Sequence, residues 1–450
     1  MFEPSYLISK ILDTVADRPD AADGMQAMMQ RAAEFGSPAQ AQLAGIALDP
    51  AGRAVAEQIL DDYWADTDTQ DALLNGADDR REVIIGSGFH AAAYCAIRVL
   101  AGFARPLVLE RGPRVGGIFA MTRRPAFYLN SRNRPGPAGL AGDLGTSLNV
   151  LPGAPIQAAH MSMAEYHDNT LMALVIRLTL AQFADVVPGA QVDAVFAGFD
   201  GMEIDLRGRG AIPAGRVIDA RGVGDPAGQA VADGKSVLTF NQFMARMAGM
   251  WPLRGLRRVA VVGGGDAAKC VIESLLGIGP APHLAAAALD RVERVDCYSN
   301  LPGSCEQWQE KVRGRYQAIG RFLRSDRFGV RRLTMIDRQA LPVPLPTGAL
   351  IDGRTYDLAV LCTGNRDTPI DGLDTASFAL HYGTDGVPVA RKHEDREAYR
   401  VGPCAMLPFN GVETAAGIAG IPGNAVAMFR TGPKTAALAA SLPQIPGGER

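Results

Sequence analysis

The chain has 450 residues, too many for one ordinary hydrophobic core, and its 47% hydrophobic and 21% charged residues are typical of a globular enzyme. The net charge of −3 argues against a nucleic-acid-binding surface. No apolar run approaches the ~18 residues that cross a bilayer, and the N-terminus has acids where a signal peptide is apolar. We therefore expect a cytoplasmic protein without a membrane partner.

Residues 1–79 predict a helical N-terminal extension. Apolar residues recur at three- and four-residue spacing in segments 24–35 and 51–64, and Asp49-Pro50 is typical of a helix start. The extension holds 15 acidic and 4 basic residues, so it is acidic while the remainder of the chain is basic. Its role stays open between packing on the body, capping an active site and mediating oligomer contacts.

A strand, a glycine turn and an Ala-rich helix follow from residue 81, and the segment 83–91 (VIIGSGFHA) fits the pattern G-x-G-x-x-A. Gly86 permits the tight turn, Gly88 lets the backbone approach a diphosphate, and Ala91 allows the helix to pack closely on the strand. Glu110 ends the next strand, 24 residues after Gly86, where its carboxylate can bind ribose hydroxyls. The pattern predicts a dinucleotide site, and the alternative is an unrelated turn with a chance glutamate.

The stretch from GSGFHA to LERGPRVGG resembles the FAD-binding signature of the two-dinucleotide-binding-domain flavoprotein superfamily. That superfamily includes thioredoxin reductase-like enzymes, flavin-containing monooxygenases and N-hydroxylating monooxygenases. The resemblance implies that Glu110 binds the adenosine ribose and that Gly116 and Gly117 lie near the flavin diphosphate. The candidate FAD-binding residues are Gly86, Ser87, Gly88, Phe89, His90, Ala91, Glu110, Arg111, Gly116, Gly117, Gly222 and Gly402.

Two later turns depart from that signature. The superfamily commonly has Gly-Asp where this chain has Gly402-Pro403, which removes the acid that meets the ribityl chain. Arg221 replaces the usual threonine of the first ATG-like turn, whereas Thr363 keeps it in the second. The resemblance still implies that the backbone of Gly402 approaches FAD.

Residues 262–268 (VGGGDAA) repeat the glycine pattern after another apolar strand and resemble the NADPH motif of thioredoxin reductase-like proteins. The candidate nicotinamide-binding residues are Gly263, Gly265, Asp266, Ala268, Ser299 and Asn300. The next strand ends without an acid, which weighs against NAD, while its polar end and downstream Arg313 or Arg315 favour the 2′-phosphate of NADPH. The alternative is a degenerate domain that has lost the nicotinamide.

The duplicated pattern predicts an α/β fold with two Rossmann-like dinucleotide-binding domains, the second inserted in the first, plus the N-terminal helical extension. We expect the FAD-binding domain at residues 80–235 and 395–442, and the NAD(P)-binding domain at residues 236–394. Each glycine turn is followed downstream by a strand that ends in a small-residue turn, at 215–226 and at 356–369.

The cysteines bear on the reaction. The resembling disulfide reductases need a thiol pair near the flavin, but none of the six cysteines forms a C-x-x-C pair. Cys297 and Cys305 lie eight residues apart and are interpreted as two unconnected thiols. In so long a chain, scattered cysteines are typical of buried thiols in a reducing compartment.

Oxygen chemistry is therefore the first hypothesis: an FAD-dependent, NAD(P)H-using monooxygenase that oxygenates a small organic substrate. Asn130 and Arg132 are the candidate catalytic residues, although turn capping explains them equally well. No metal-ligand spacing stands out. The alternatives are a non-oxygenating flavin reductase, dehydrogenase or oxidase, and a non-catalytic nucleotide-binding protein. The substrate and the oligomeric state stay open.

Overall fold

The computed structural model describes much of the chain. The described ranges are 2–16, 36–120, 128–132, 151–157, 166–198, 201–222, 224–248, 255–278, 292–299, 317–325, 333–338, 340–374, 377–382, 388–393, 395–406 and 425–445. Several sequence-based candidates lie outside the described residues, namely segment 24–35, Asn300, Cys305, Arg313 and Arg315.

The helices are numbered in chain order. They are α1 (Tyr6–Ala16), α2 (Pro38–Leu48), α3 (Pro50–Trp64), α4 (Thr67–Asn75), α5 (Phe89–Leu100), α6 (Asn169–Phe183), α7 (Phe240–Ala248), α8 (Asp266–Leu276), α9 (Gln317–Ser325), α10 (Pro403–Met406) and α11 (Ala425–Ser441). In the described part of the chain, no helix is both long enough and apolar enough to cross a membrane.

The strands are numbered in the same way. They are β1 (Glu82–Ile85), β2 (Leu107–Glu110), β3 (Tyr128–Arg132), β4 (Tyr166–Asp168), β5 (Asp185–Pro188), β6 (Val192–Ala197), β7 (Met202–Leu206), β8 (Gly210–Ala214), β9 (Arg216–Asp219), β10 (Asp225–Pro226), β11 (Val237–Thr239), β12 (Arg258–Val262), β13 (Arg294–Ser299), β14 (Leu333–Asp337), β15 (Val343–Leu345), β16 (Gly348–Ile351), β17 (Arg354–Tyr356), β18 (Leu358–Leu361), β19 (Asn365–Arg366), β20 (Phe378–Tyr382), β21 (Pro388–His393) and β22 (Ala398–Arg400).

Two compact units make up the chain: unit 1 comprises residues 1–121, 132–223 and 367–450, and unit 2 comprises residues 122–131 and 224–366. The sheet of unit 1 has the order β20-β21-β22-β9-β1-β2-β5, with β22, β9, β1, β2 and β5 parallel. Strands β1, β2 and β9 are buried along their whole length, as expected for parallel strands covered on both faces. The antiparallel strands β6, β7 and β8 share a buried apolar cluster with this sheet.

Strands β20 and β21 belong to the sheet of unit 1, although they lie before residue 395, where we expected the first domain to resume. Strand β21 pairs antiparallel with β22, and β22 pairs in parallel with β9, so main-chain hydrogen bonds attach both strands to this sheet.

The N-terminal helices are built into unit 1. Helices α1, α2 and α3 contact α6, and α4 contacts β5. Ser37 and Asp49 cap α2 and α3 by accepting hydrogen bonds from the backbone N–H groups of Gln40 and Gly52. Apolar side chains at the helix contacts are fully or almost fully buried, namely Ile8, Ile11, Leu43, Ile46 and Leu60. The extension therefore contributes its own apolar core to this unit.

Unit 2 is built around a parallel sheet of order β11-β18-β12-β13-β14. Apolar side chains of α7, α8 and α9 share one buried cluster with this sheet. The antiparallel strands β16 and β17 share a second cluster with it, and β15 extends their small sheet. Alternate residues of β12 enter the two clusters (Val259 and Val261 against Ala260 and Val262), so both faces of the sheet are covered.

Candidate functional site

The first glycine turn joins β1 to α5. Gly86 has φ +97°, and a Cβ at this position would lie 2.9 Å from the carbonyl oxygen of Ala220, so only glycine fits. A Cβ at Gly88 would have Gly117 Cα, at 3.9 Å, as its nearest neighbour, which leaves space beside the turn. No side chain caps α5, so the backbone N–H groups of its first turn suit a phosphate.

Hydrogen bonds of Ser87 and Glu110 connect the glycine turn to the end of β2 and to the loop that follows it. The Glu110 Oε2 atom accepts hydrogen bonds from the Ser87 backbone N–H at 3.1 Å and from its hydroxyl at 2.6 Å. The Oε1 atom accepts from the Gly112 N–H at 2.7 Å, and the Ser87 hydroxyl accepts from the Gly116 N–H at 2.9 Å. A carboxylate offers about four acceptor sites. Three protein donors therefore leave one site, on Oε1, for a ribose hydroxyl.

The Gly116-Gly117 turn touches the glycine loop directly. Gly116 and Gly117 have φ +119° and +63°, and a Cβ on Gly117 would lie 2.7 Å from Gly88 Cα. Two backbones approach this closely only because neither residue has a side chain. The sequence resemblance assigned Gly88, Gly116 and Gly117 to one site, and the structure brings them together. Arg111, which follows Glu110, is exposed.

A buried ion network lies at the ends of β9 and β22. Asp219 is fully buried, and its carboxylate accepts from Arg221 Nε at 2.8 Å and from Arg400 Nε at 2.9 Å. Asp367 lies 3.2 Å from Arg400 and 3.6 Å from Arg221. Burial raises the pKa of the Asp219 carboxyl, but the charges of Arg221 and Arg400 outweigh burial and hold it well below its usual range. This network is electrically balanced, with two acids and two arginines.

Sequence reasoning missed Asp219 and Arg400. Each is the last residue of its strand, and the parallel pairing of β22 with β9 sets them directly opposite one another. The one sequence signal was a charged residue at the end of each of two apolar strands. Gly222 follows this network with φ +79° and open space around its Cβ direction.

The late turn at Gly402 approaches a histidine. Gly402 has φ +72°, and a Cβ there would lie 2.6 Å from His90 Cγ, so the imidazole covers this glycine. His90 is buried in the first turn of α5, next to the buried Phe89 and Ala91. The contact of Gly402 with FAD, inferred from the resemblance, stays a prediction.

The second glycine turn joins β12 to α8. Gly263 has φ +127°, and a Cβ there would lie 2.1 Å from the carbonyl oxygen of Cys362. A Cβ at Gly265 would meet nothing within 4 Å, and α8 also begins without a side-chain cap. Asp266 pairs with Lys269 at 3.0 Å in the first turn of α8. Ala268, in the same turn, is fully buried.

The polar end of β13 is described only in part. Ser299 ends the strand and is 1% exposed. Asn300, the other candidate there, lies outside the described residues. The backbone of Asn130 and Arg132 belongs to β3, but their side chains are not described, so their catalytic roles stay predictions.

The described cysteines are buried thiols. Burial raises the pKa of Cys297 and of Cys404 to about 12, and raises those of Cys95 and Cys362 as well. Such thiols stay protonated at neutral pH and react slowly. Among the described residues, no group of His, Cys, Asp and Glu could hold a metal ion.

Comparison with solved structures places the fold. The chain resembles an ornithine N-hydroxylase of Kutzneria sp. 744, described with reduced FAD, NADP+ and L-ornithine, at 14% identity and a TM-score of 0.52, over 80% of this chain and 98% of that one. It also resembles the cadaverine monooxygenase of the desferrioxamine biosynthetic pathway from Erwinia amylovora, described with FAD, at 10% identity and a TM-score of 0.53, over 84% and 97% of the two chains.

These likenesses show that the chain shares the mixed α/β fold of these two proteins. The two dinucleotide-binding domains expected from the sequence stay a prediction. No protein-family description matches the chain, and no curated protein sequence matches it significantly.

Proposed function

We propose that the protein is an FAD-dependent monooxygenase that uses NADPH to oxygenate a small organic substrate. The observation that carries this proposal is the first glycine turn. Its uncapped helix and its open space at Gly88 face a second glycine turn at Gly117, and an acid at residue 110 ends the neighbouring strand. In this proposal unit 1, whose sheet resumes at β20 rather than at residue 395, binds FAD, and the parallel sheet of unit 2 belongs to the inserted NAD(P)-binding domain.

The residues of the first turn fit a dinucleotide. The N–H groups at the start of α5 would bind the diphosphate, and the remaining acceptor site of Glu110 would bind one ribose hydroxyl. Bound FAD supplies the redox chemistry, while the chain orients it and limits access of water. Ser87 keeps the Glu110 carboxylate and the Gly116 N–H in fixed positions for that purpose.

The second turn supports a nicotinamide dinucleotide. Gly263 and Gly265 repeat the backbone of the first turn, and the helix behind them is likewise free of a side-chain cap. The acid that favours NAD is replaced by Ser299 at the end of β13, so we propose NADPH as the reductant.

Oxygenation is favoured over disulfide reduction because the five described thiols are buried and burial raises the pKa of four of them. The two structures compared above are an ornithine N-hydroxylase and a cadaverine monooxygenase, so amines are the first substrates to test. In such a reaction an amine, O₂, NADPH and one proton yield a hydroxylamine, NADP+ and water. One oxygen atom enters the new N–O bond, and the other leaves as water with the electrons of NADPH.

Anaerobic reduction is the direct test. Purified protein should be yellow, and NADPH without oxygen should bleach the flavin faster than NADH does. Oxygen and an amine panel that includes L-ornithine and cadaverine are then added. We expect one amine to take up isotopically labelled oxygen, with little release of hydrogen peroxide. Colourless protein that binds no FAD contradicts the proposal.

A non-oxygenating oxidoreductase gives a different result. Under that reading NADPH bleaches the flavin, but oxygen restores it promptly with stoichiometric hydrogen peroxide and no labelled product.

A further inference from the structure

Two acids of the N-terminal extension pair with two arginines of the body. Glu57 and Asp61 lie one turn apart on α3 and therefore share a helix face. Both contact the guanidinium groups of Arg177, on α6, and of Arg114, in the loop after β2; the Arg114–Asp61 distance is 3.4 Å. Two acids against two arginines make this cluster electrically balanced.

Arg177 depends on these acids. Its side chain is 0% exposed, and burial lowers its pKa to about 9, so it is still charged at neutral pH. A buried charge without a counter-charge is strongly unfavourable. Glu57 and Asp61 supply that counter-charge, because both contact the Arg177 guanidinium.

The arginine stem continues to the first cofactor turn. A Cβ at Gly116 would lie 3.1 Å from Arg177 Cγ, so the aliphatic part of Arg177 packs directly against this glycine. Gly117 in turn contacts the backbone of Gly88. Arg114 lies two residues before Gly116 on the same loop. Contacts therefore run without a break from the acids of α3 to the turn proposed to bind the diphosphate.

We propose that Glu57 and Asp61 are positioning residues for FAD: through Arg177 and Arg114 they hold the Gly116-Gly117 turn against Gly88. The N-terminal extension is thereby a working part of the cofactor site. This inference rests on the proposed function. A purely structural role would lower only the overall stability. The positioning role predicts faster hydrogen–deuterium exchange at residues 112–117 and weaker FAD binding.

The test compares three variants of the full chain. Glu57→Gln with Asp61→Asn removes both charges while keeping the side-chain shapes. Asp62→Asn is the control for the loss of a single surface charge, because Asp62 is exposed on the same helix and bonds only Gln58 among the described contacts. Gln70→Ala is the stability-matched control, because Gln70 is buried in the extension and donates to the Trp64 carbonyl without touching either arginine.

Two quantities are measured on apoprotein below the melting range: the dissociation constant for FAD, and hydrogen–deuterium exchange at residues 112–117. We expect the double variant to bind FAD roughly 10-fold more weakly and to exchange faster there. Both controls should keep wild-type affinity, although Gln70→Ala should melt at a lower temperature. If the double variant does not fold, Asp61→Asn alone should show a smaller change in the same direction.

Wild-type affinity and wild-type exchange in the double variant overturn this inference while leaving the proposed function intact. Equal weakening of FAD binding in Gln70→Ala also overturns it, because general destabilisation then explains the effect. A wild-type chain that takes up no FAD overturns the proposed function and this inference together.

Discussion

Gly86 and Gly263 occupy equivalent positions in unit 1 and unit 2. Each follows a buried central strand, and each has a positive φ. A Cβ on either residue would meet the carbonyl oxygen of a third strand's turn, at Ala220 in one unit and at Cys362 in the other. The helices that follow also begin alike, since Gly88 and Gly265 have φ and ψ of −83° and −168°, and of −84° and −170°.

The side chains around the two turns differ. In unit 1 they are charged and locked together: Glu110 is bonded to Ser87, and Asp219 is paired with Arg221 and Arg400. In unit 2 the corresponding strand end is Ser299, and the thiols of Cys297 and Cys362 pack beside Gly263.

Backbone geometry alone therefore does not distinguish the two proposed cofactors. The shared backbone supports a diphosphate at either turn, because both helices begin without a side-chain cap. Specificity has to come from the strand ends. The acid in unit 1 suits a ribose, and its absence in unit 2 suits a ribose that carries a phosphate.

The largest effect is expected at the Asp219 network, which the second turn lacks. Asp219→Asn removes the buried acid of this network and leaves Arg221 and Arg400 to share the partly exposed Asp367, so the free energy of unfolding should fall by about 3–5 kcal/mol. Urea denaturation measures this loss. Asp193→Asn, which removes an acid from the solvent-exposed pair with Arg207, is the control and should change stability little.

The pH dependence of Asp219 has a definite sign. Its pKa is lower in the folded chain than in the unfolded chain, so it stabilises the fold above about pH 4 and loses that contribution as the pH falls further. The acid-induced loss of stability should be shallower in Asp219→Asn than in the wild type. The same dependence of stability on pH below about pH 4 in Asp219→Asn and in the wild type would contradict the assigned network.

The glycines themselves give the next effect. Gly263→Ala and Gly86→Ala each combine an unfavourable φ with a backbone clash, and each should cost roughly 3 kcal/mol. Gly263 should cost more, because its Cβ would lie 2.1 Å from a carbonyl oxygen compared with 2.9 Å at Gly86. Gly265→Ala has open space and should cost about 1 kcal/mol or less as a changed helix cap. Melting curves that rank Gly265→Ala lowest would contradict this order.

A third pair of variants separates the two cofactors. Gly88→Leu fills the space between the first turn and Gly117, so FAD affinity should fall on the order of 100-fold, about 2.7 kcal/mol. Gly265→Leu should leave FAD bound and slow only the reduction by NADPH. Flavin content and anaerobic reduction rate are the measurements. Full retention of FAD by Gly88→Leu would remove the first turn from the proposed site.

The sequence predicts the two glycine turns because their requirement is local. A tight strand-to-helix turn with positive φ requires glycine, and the sequence has Gly86 and Gly263 at these two positions. The α/β class follows from apolar strands that alternate with helices. A hydrogen-bonding role for Ser87 could also have been predicted, because it is a small polar residue between two glycines.

Other contacts depend on strand pairing that no single sequence displays. Asp219 and Arg400 lie 181 residues apart, and only the register of β9 with β22 sets them opposite each other. His90 and Gly402 meet through the same pairing of distant segments. From the sequence alone, the acids of α3 are typical of a solvent-exposed helix face. The structure shows that they contact Arg177, a basic residue within the apolar helix α6.

The smallest effect tests whether the thiols around the second turn do chemistry or only pack. At pH 8 a thiol with a pKa of about 12 is ionised in only about one molecule in 10,000, and burial excludes reagents as well. A Cys305→Ser variant retains the five described cysteines, and Ellman's reagent should label none of them before the chain unfolds. Reduction by NADPH should leave that result unchanged, because no disulfide is opened. Fast labelling of Cys297 or Cys362 in the folded protein, appearing only after NADPH is added, would make the second turn a thiol redox site. The contrast between a charged first turn and an inert second turn would then have to be abandoned.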